Sequence, residues 1–112
     1  MKNFMFIFSR TSDSKDLSPE EMQSNMQEWF AWVDKLKAAG AYVSGEALLP
    51  GGKTVKGKGL VTDGPFADSK EAVGGYFIVK AKSIEDAADM AKGCPDMPIG
   101  GIVEVREVMV FE

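Results

Sequence analysis

The sequence contains no histidine and only one cysteine, Cys94. Without histidine, one chain cannot form a serine–histidine or cysteine–histidine nucleophile system, a histidine-ligated zinc site or a histidine proton shuttle. A single cysteine also excludes a disulfide bond within the chain. Gly93 and Pro95, its neighbours in sequence, carry no basic group that would favour the thiolate, so a reactive thiol is not expected. Acid–base chemistry would therefore use aspartate, glutamate, lysine, tyrosine or cysteine.

Long apolar runs and dense basic runs are also missing. No run approaches the roughly 20 apolar residues that cross a bilayer. The apolar start at residues 1–8 is followed closely by Arg10 and Asp13, which is unlike a signal peptide. We therefore expect a cytoplasmic protein with no membrane partner. The 13 lysines and arginines are spread along the chain, so direct binding to nucleic acid is not expected either.

What is present is the composition of a folded domain. The chain has 112 residues, of which 45% are hydrophobic and 27% charged, and its formal net charge is −4. These values are typical of a soluble globular protein rather than a disordered one. With no linker or low-complexity segment in it, the sequence predicts a single domain over residues 1–112.

Hydrophobic periodicity and turn residues predict an alternation of strands and helices. The first helix begins with a capping box at Ser18 and Glu21 and ends at Gly40; the second begins at Ser83 and stops at Gly93. The resulting order, β-α-β-β-turn-β-α-β, predicts an α+β fold with a ferredoxin-like antiparallel sheet and two helices on one face. The predicted strands are residues 3–9, 41–49, 53–62, 74–80 and 102–111, with loops at 10–17 and 97–101.

The first predicted helix carries apolar residues at helical spacing. We interpret this stripe as core rather than as a cofactor-binding surface. Its members are Met22, Met26, Trp29, Phe30, Val33 and Leu36.

Several predicted strands are apolar on both faces, whereas an antiparallel sheet with one wet face should alternate apolar and polar residues. Two helices in a chain this short cover only one face, and monomers rarely leave a large apolar patch exposed. Burial against the same face of a second copy would solve this by a two-fold contact, so we predict a homodimer of the dimeric α+β barrel type. The alternative is that residues 10–17 and 50–74 fold over the open face.

The stretch from Thr62 to Phe66 predicts a stiff turn with a directed carboxylate. Gly64 can take positive φ, and Pro65 restricts φ to about −65°. Together with Phe66 they would aim the carboxylate of Asp63, our candidate catalytic or ligand-binding group. The alternative is a purely structural turn in which Asp63 accepts hydrogen bonds from nearby backbone N–H groups.

Two further candidates are predicted to line a pocket. Glu46 follows Gly45 in a mostly apolar strand and could join Asp63 in a carboxylate pair suited to general-base chemistry. It could equally face solvent or pair with a lysine. Tyr76 follows two glycines that allow close approach of the backbone, and its hydroxyl could reach a ligand or simply pack in the core.

Three charged residues complete the set of candidates. Arg10 could bind a ligand carboxylate in a bidentate manner, or pair with Asp13 or Asp16. Lys70 and Glu71 follow the turn and could bind an anionic ligand and orient the catalytic candidate, although adjacent charges in a loop are usually solvated.

The turn from Thr62 to Phe66, together with the candidate residues around it, resembles the DGPF branch of the YCII-related domain family, and the likeness extends over nearly the whole chain. It implies a ferredoxin-like, usually dimeric subunit with a polar-lined pocket near the signature. The wider family is noted for a histidine–aspartate pair, which this chain cannot form. Some relatives are joined to or associated with alternative sigma factors, which implies a link to a transcription factor. The matching segments are the opening strand, Ser18-Pro19-Glu20-Glu21, Gly45-Glu46-Ala47-Leu48, Thr62-Asp63-Gly64-Pro65-Phe66, Lys70-Glu71, Gly74-Gly75-Tyr76 and Val103-Glu104-Val105-Arg106.

Two functions follow as hypotheses. The first is a module that binds a small organic or anionic ligand in a cavity near the turn. The second is a cofactor-free enzyme, of isomerase, lyase or oxygenase type, with Asp63 as general base. We expect neither a cofactor nor a metal site, and the sequence does not identify the ligand.

Overall fold

The computed structural model describes residues 1–11, 16–63 and 71–111. Within them the chain forms six strands and two α-helices, in the order β1, α1, β2, β3, β4, β5, α2, β6. The strands are β1 (Lys2–Thr11), β2 (Tyr42–Ala47), β3 (Lys53–Lys56), β4 (Leu60–Asp63), β5 (Glu71–Ala81) and β6 (Gly101–Glu107), and the helices are α1 (Pro19–Ala38) and α2 (Ile84–Ala91).

Four of the strands form one antiparallel sheet in the order β2-β5-β1-β6. This order fits a ferredoxin-like arrangement and confirms the predicted mixed α+β class with two helices. Both helices contribute side chains to one core, so they pack on the same face of the sheet. The second face of the sheet is left open by the helices.

The core is built around aromatic side chains that point from the two central strands toward the helices. Phe4, Phe6 and Phe8 of β1 alternate with residues of the open face, as a strand requires. The Phe6 ring stacks on Trp32 of α1 with centroids 6.2 Å apart, and Phe8 meets Phe77 of β5 edge-on at 4.8 Å. Such contacts add to the free energy gained by burying the rings.

The helix ends agree with the local sequence signals. Ser18 caps α1 through a complete capping box with Glu21, and Gly40 adopts φ 72° just beyond the last turn. Ser83 caps α2 by accepting a hydrogen bond from the backbone N–H of Asp86. The predicted caps are therefore confirmed.

The prediction that the whole apolar stripe of α1 is core was wrong for three residues. Trp29, Val33 and Leu36 do belong to the core, together with Trp32, which the stripe had left out. The helix is rotated so that Trp32 and Leu36 face the sheet most directly. Its remaining large apolar side chains, Met22, Met26 and Phe30, lie on an exposed flank.

The predicted strand over residues 53–62 is in fact a β-hairpin, which we call the arm. Within residues 1–11, 16–63 and 71–111, its strands β3 and β4 pair only with each other and form a separate two-stranded sheet. A tight turn over Gly57–Gly59, with Lys58 at φ 65°, reverses the chain where one strand was expected. The arm keeps its apolar side chains Val55, Leu60 and Val61 largely exposed.

Other strand limits also differ from prediction, most clearly at the ends of β1 and β6. β1 continues through Arg10 and Thr11, which were expected to lie in a loop. Arg10 pairs with both β5 and β6, and Thr11 pairs with β5. β6 ends at Glu107 rather than at residue 111, and Met109, Val110 and Phe111 are exposed. The predicted loop at residues 10–17 lies partly outside the described residues.

The open face of the sheet has an apolar centre. Met5 and Ile7 of β1 lie beside Ile78 and Tyr76 of β5, and all four side chains are half-buried. The Cα atoms span 46 × 42 × 19 Å, and the short dimension corresponds to one sheet with one helix layer. Residues 50–74 were predicted, as the alternative to a dimer, to fold over this face. The arm is part of that segment, and its apolar side chains stay largely exposed rather than buried on the sheet.

Candidate functional site

Strand register brings two of the predicted pocket residues together on the open face. Glu46 of β2 is paired directly with Tyr76 of β5, and Tyr76 is paired in turn with Ile7 of β1. Ile7 is opposite Glu104 of β6. Because directly paired residues project on the same side of a sheet, these four side chains form one row across the open face.

A second row runs parallel to the first. It consists of Ser44, Ile78, Met5 and Arg106, again from all four strands. Arg106 lies 3.7 Å from the carboxylate of Glu104, the last member of the first row, and both side chains are more than half exposed. The open face thus has an apolar centre with carboxylates at both edges and one guanidinium.

Two glycines make this arrangement possible. At Gly45 a Cβ atom would collide with the ring of Phe77 and lie 2.8 Å from the hydroxyl of Tyr42, so a side chain there would displace the edge strand. At Gly75 a Cβ atom would lie 2.6 Å from the carbonyl oxygen of Glu46. The close backbone approach predicted before Tyr76 is confirmed at Gly75.

Asp63 lies at the end of the arm and is exposed. Its carboxylate accepts a hydrogen bond from Nζ of Lys53 at 2.7 Å, and its side chain is 92% accessible. Such an exposed pair contributes little to stability. The convergence of Asp63 with Glu46 and Tyr76 on one cavity stays a prediction.

Several predicted residues of the signature region lie outside the described residues. These are Gly64, Pro65, Phe66 and Lys70. Glu71 is the first residue of β5, where its backbone pairs with Thr11.

Arg10 lies on the helix side of the sheet, away from the row that contains Glu46 and Tyr76. Its Nε is 3.6 Å from Oδ2 of Asp96, a charge pair too long for a hydrogen bond. The predicted alternatives for its partner were Asp13, which lies outside the described residues, and Asp16. Among the described residues, its charge partner is Asp96, which lies in the connection between α2 and β6.

Asp96 is the centre of a polar cluster that the sequence did not predict. Its Oδ1 accepts hydrogen bonds from the Asn25 amide at 2.8 Å and from the Trp29 indole N–H at 3.0 Å, both on α1. Its backbone carbonyl accepts from the N–H of Gly101 at 2.8 Å. The cluster ties the start of β6 to α1 and to the end of β1, and its members are so distant in sequence that no local pattern indicated it.

A groove of about 310 Å³ lies between the two helices. None of the predicted site residues that the structure describes borders it. Its lining is mostly apolar, with one lysine and one aspartate; the residues are Trp32, Lys35, Leu36, Ala39, Ala41, Asp89, Met90 and Gly93.

Cys94 is buried, and burial raises the pKa of its thiol to about 11. The nearby charge of Asp96 acts in the same direction, while hydrogen bonds from the backbone of Asp96 and Met97 oppose it more weakly than burial does. The thiol therefore stays protonated near neutral pH, as expected for a structural cysteine.

This gives a simple prediction for Cys94. The native protein should show almost no reaction with Ellman's reagent at pH 8, and one thiol per chain should react once the protein is unfolded in guanidinium chloride. Rapid labelling of the native protein would contradict the burial of this side chain.

Among the described residues, no helix is both long enough and apolar enough to cross a membrane.

Comparison with known proteins adds two findings. The sequence profile of the YCII-related domain matches residues 4–112. An uncharacterised protein of Rhizobium meliloti (strain 1021) is similar to this chain, with 33% identity over 57 residues. That match covers 50% of this chain and 46% of the relative, so the chain spans about half the length of the curated relative that it matches.

Proposed function

Because the chain belongs to the YCII-related domain family, we propose that it acts as a small homodimer that binds a small organic or anionic ligand between two sheets. The signature Asp63-Gly64-Pro65-Phe66 supports placing it in the DGPF branch of that family. In this proposal the binding cavity lies near the signature, and the protein is cytoplasmic.

The observation that carries the proposal is the open face of the sheet. Met5, Ile7, Tyr76 and Ile78 form a contiguous apolar centre that neither helix covers. Contact with the same face of a second copy would remove these side chains from water, and the contact would be self-complementary about a two-fold axis. Glu46 and the other charged edge residues would then form a polar rim.

The same residues define what such a cavity would bind. The apolar centre suits the hydrocarbon part of a ligand, while the hydroxyl of Tyr76 and the carboxylate of Glu46 can form hydrogen bonds with its polar groups. Arg106 is exposed and only loosely paired, so its guanidinium is available for a carboxylate or phosphate group. A small organic acid combines these features.

The dimer is tested by placing a charge in the middle of the open face. We expect Ile78→Glu to halve the particle mass at low micromolar concentration, from about 24 kDa (twice 12.1 kDa) to 12.1 kDa, measured by light scattering after size exclusion. Burial of an unpaired carboxylate would oppose the contact. Ala88→Glu, which adds the same charge on the exposed surface of α2, should leave the mass unchanged. A wild-type monomer would refute the dimer.

Ligand binding is tested with a panel of aliphatic and aromatic carboxylic acids in a thermal-shift assay. A ligand present well above its Kd should raise the Tm of the wild type, because it binds only the folded state. Arg106→Gln and Tyr76→Phe should reduce that shift, because they remove the guanidinium and the hydroxyl that would bind the acid group, and Glu85→Gln on α2 should not. If no acid stabilises the protein, or if all variants respond equally, the proposed cavity is wrong.

The catalytic alternative depends on Asp63. The mixtures of protein and carboxylic acid from the thermal-shift assay are examined for products by mass spectrometry, and Asp63→Asn is compared with wild type. Loss of product formation in Asp63→Asn would support an enzyme that uses this carboxylate as general base. Binding without any product would support the binding module.

A further inference from the structure

The exposed flank of α1 carries three large apolar side chains in a row. Met22, Met26 and Phe30 are spaced one helical turn apart, and they are 55%, 58% and 64% exposed. Single exposed apolar residues are common on protein surfaces, but a contiguous row of them marks an interaction site. We call this row the α1 stripe.

We propose that the α1 stripe is a contact between two copies of this chain, with the two helices packed antiparallel about a two-fold axis near Met26. The stripe lies in the helix layer, on the other side of the molecule from the open face of the sheet. The proposal therefore does not depend on the sheet-to-sheet dimer, and both contacts can exist in one assembly.

The spacing of the stripe is self-complementary. When two such helices run antiparallel with Met26 facing Met26 of the second copy, Met22 faces the second copy's Phe30, and the reverse pair forms on the other side. Every member of the stripe then meets an apolar partner. Methionine and phenylalanine are both enriched in interfaces, and methionine sulfur packs favourably against aromatic rings.

Charge favours the antiparallel orientation. The first turn of α1 is acidic, with Glu20 and Glu21, and its last turn contains Lys35 and Lys37. Antiparallel packing brings the oppositely charged ends of the two helices together and also aligns the helix dipoles favourably, whereas parallel packing would bring like-charged ends together.

Charge also disfavours a membrane as the occupant of the stripe. Helices that lie on membrane surfaces combine an apolar face with a basic polar face, since the cytoplasmic leaflet is anionic. α1 instead has more acidic than basic residues. They are Glu20, Glu21, Glu28 and Asp34, against Lys35 and Lys37.

The size of the stripe sets the strength of the contact. Three side chains per copy bury less than the roughly 800 Å² per partner of a standard stable interface. The association should therefore depend on concentration and be weaker than a contact across the whole sheet face. Together, the two contacts would produce an assembly of four chains at high protein concentration.

The sharpest test uses a cysteine at the two-fold axis. Met26→Cys places two thiols opposite each other, within the Cα separation of about 4.4–6.8 Å that a disulfide needs. Mild oxidation should convert it to a covalent dimer of about 24 kDa (twice 12.1 kDa) on a non-reducing gel. Native Cys94 is buried and should not compete.

The matched control is Ala31→Cys, on the exposed side of the same helix away from the stripe. It should form at least tenfold less covalent dimer than Met26→Cys under identical conditions, because it reports only random encounters. Equal cross-linking of the two variants would overturn the proposal.

A second measurement separates this contact from the sheet-to-sheet dimer. Particle mass is followed by sedimentation over a wide range of protein concentration, with circular dichroism as the check on folding. Met26→Glu should lose the concentration-dependent increase in mass that wild type and Ala31→Glu show. If Met26→Glu behaves as wild type, the stripe contact is refuted even where Ile78→Glu shows the sheet dimer. If Met26→Glu loses the increase in mass but Ile78→Glu leaves the particle mass unchanged, the stripe contact stands and the sheet dimer is refuted.

Discussion

Replacing Phe6 by alanine is expected to lower the free energy of unfolding by about 3–5 kcal/mol. Phe6 is 0% exposed, stacks on Trp32 and meets Phe8 edge-on. Truncation would remove its own burial and leave a cavity between β1 and α1 that the surrounding rings could fill only in part. The change is large compared with the total stability of an ordinary domain, about 5–15 kcal/mol.

Equilibrium unfolding in urea, followed by tryptophan fluorescence, measures this loss. Phe111→Ala is the control, since the same side chain is removed from an exposed position and the expected change is within about 0.5 kcal/mol. If Phe6→Ala does not fold, Phe6→Leu retains most of the volume and should still be less stable than the control. Equal stabilities for the Phe6 and Phe111 variants would mean that β1 does not form the centre of the core.

Replacing Asp96 by alanine is expected to cost about 2–4 kcal/mol in the free energy of unfolding. The substitution removes the acceptor shared by Asn25 and Trp29 and leaves the Arg10 guanidinium without its carboxylate. These donors are partly buried, so water replaces the lost partner incompletely. The connection between α2 and β6 would lose its attachment to α1.

Asp96→Asn separates the two contributions. An asparagine oxygen can still accept from the Trp29 indole, so this variant should lose only the interaction with the Arg10 charge and retain more stability than Asp96→Ala. Asp89→Ala is the control, because Asp89 pairs with Lys92 on the surface of α2 and such pairs are worth about 0–1 kcal/mol. If Asp96→Ala were no worse than Asp89→Ala, the cluster would have no role in stability.

The Asp96 cluster changes the view of Arg10. From the sequence, Arg10 was a candidate for binding a ligand carboxylate, but its guanidinium faces a carboxylate of its own chain on the helix side. The guanidinium group on the open face belongs to Arg106, which is paired with Met5 and lies beside Glu104. A variant series aimed at ligand binding should therefore include Arg106 as well as Glu46 and Tyr76.

Local sequence signals predicted local structure well. The capping box at Ser18 and the glycine at position 40 define the ends of α1, because both act within one turn of the chain. The alternation of strands and helices was sufficient for the ferredoxin-like order, since the four main strands each carry a strong apolar pattern. The pairing of Glu46 with Tyr76 could not be read from the sequence, because register depends on how two distant strands align.

The two errors have different causes. Periodicity identified the apolar residues of α1 but not the rotation of the helix on the sheet, so Met22, Met26 and Phe30 were assigned to the core. The arm was taken as one strand although Lys56-Gly57-Lys58-Gly59 carries the glycines and charges of a turn, so a local signal was overlooked. In α1 the pattern shows that a residue is apolar, but not what covers it.

The amino-acid sequence by itself determined the order of the main elements, the ends of the helices and the exclusion of histidine chemistry, because these follow from composition and from interactions within a few residues. Only the tertiary structure decided which side chains meet. It placed Glu46 beside Tyr76, assigned Arg10 to Asp96 and left the α1 stripe exposed. These outcomes depend on strand register and helix rotation, which are set by packing over the whole chain rather than by any local segment.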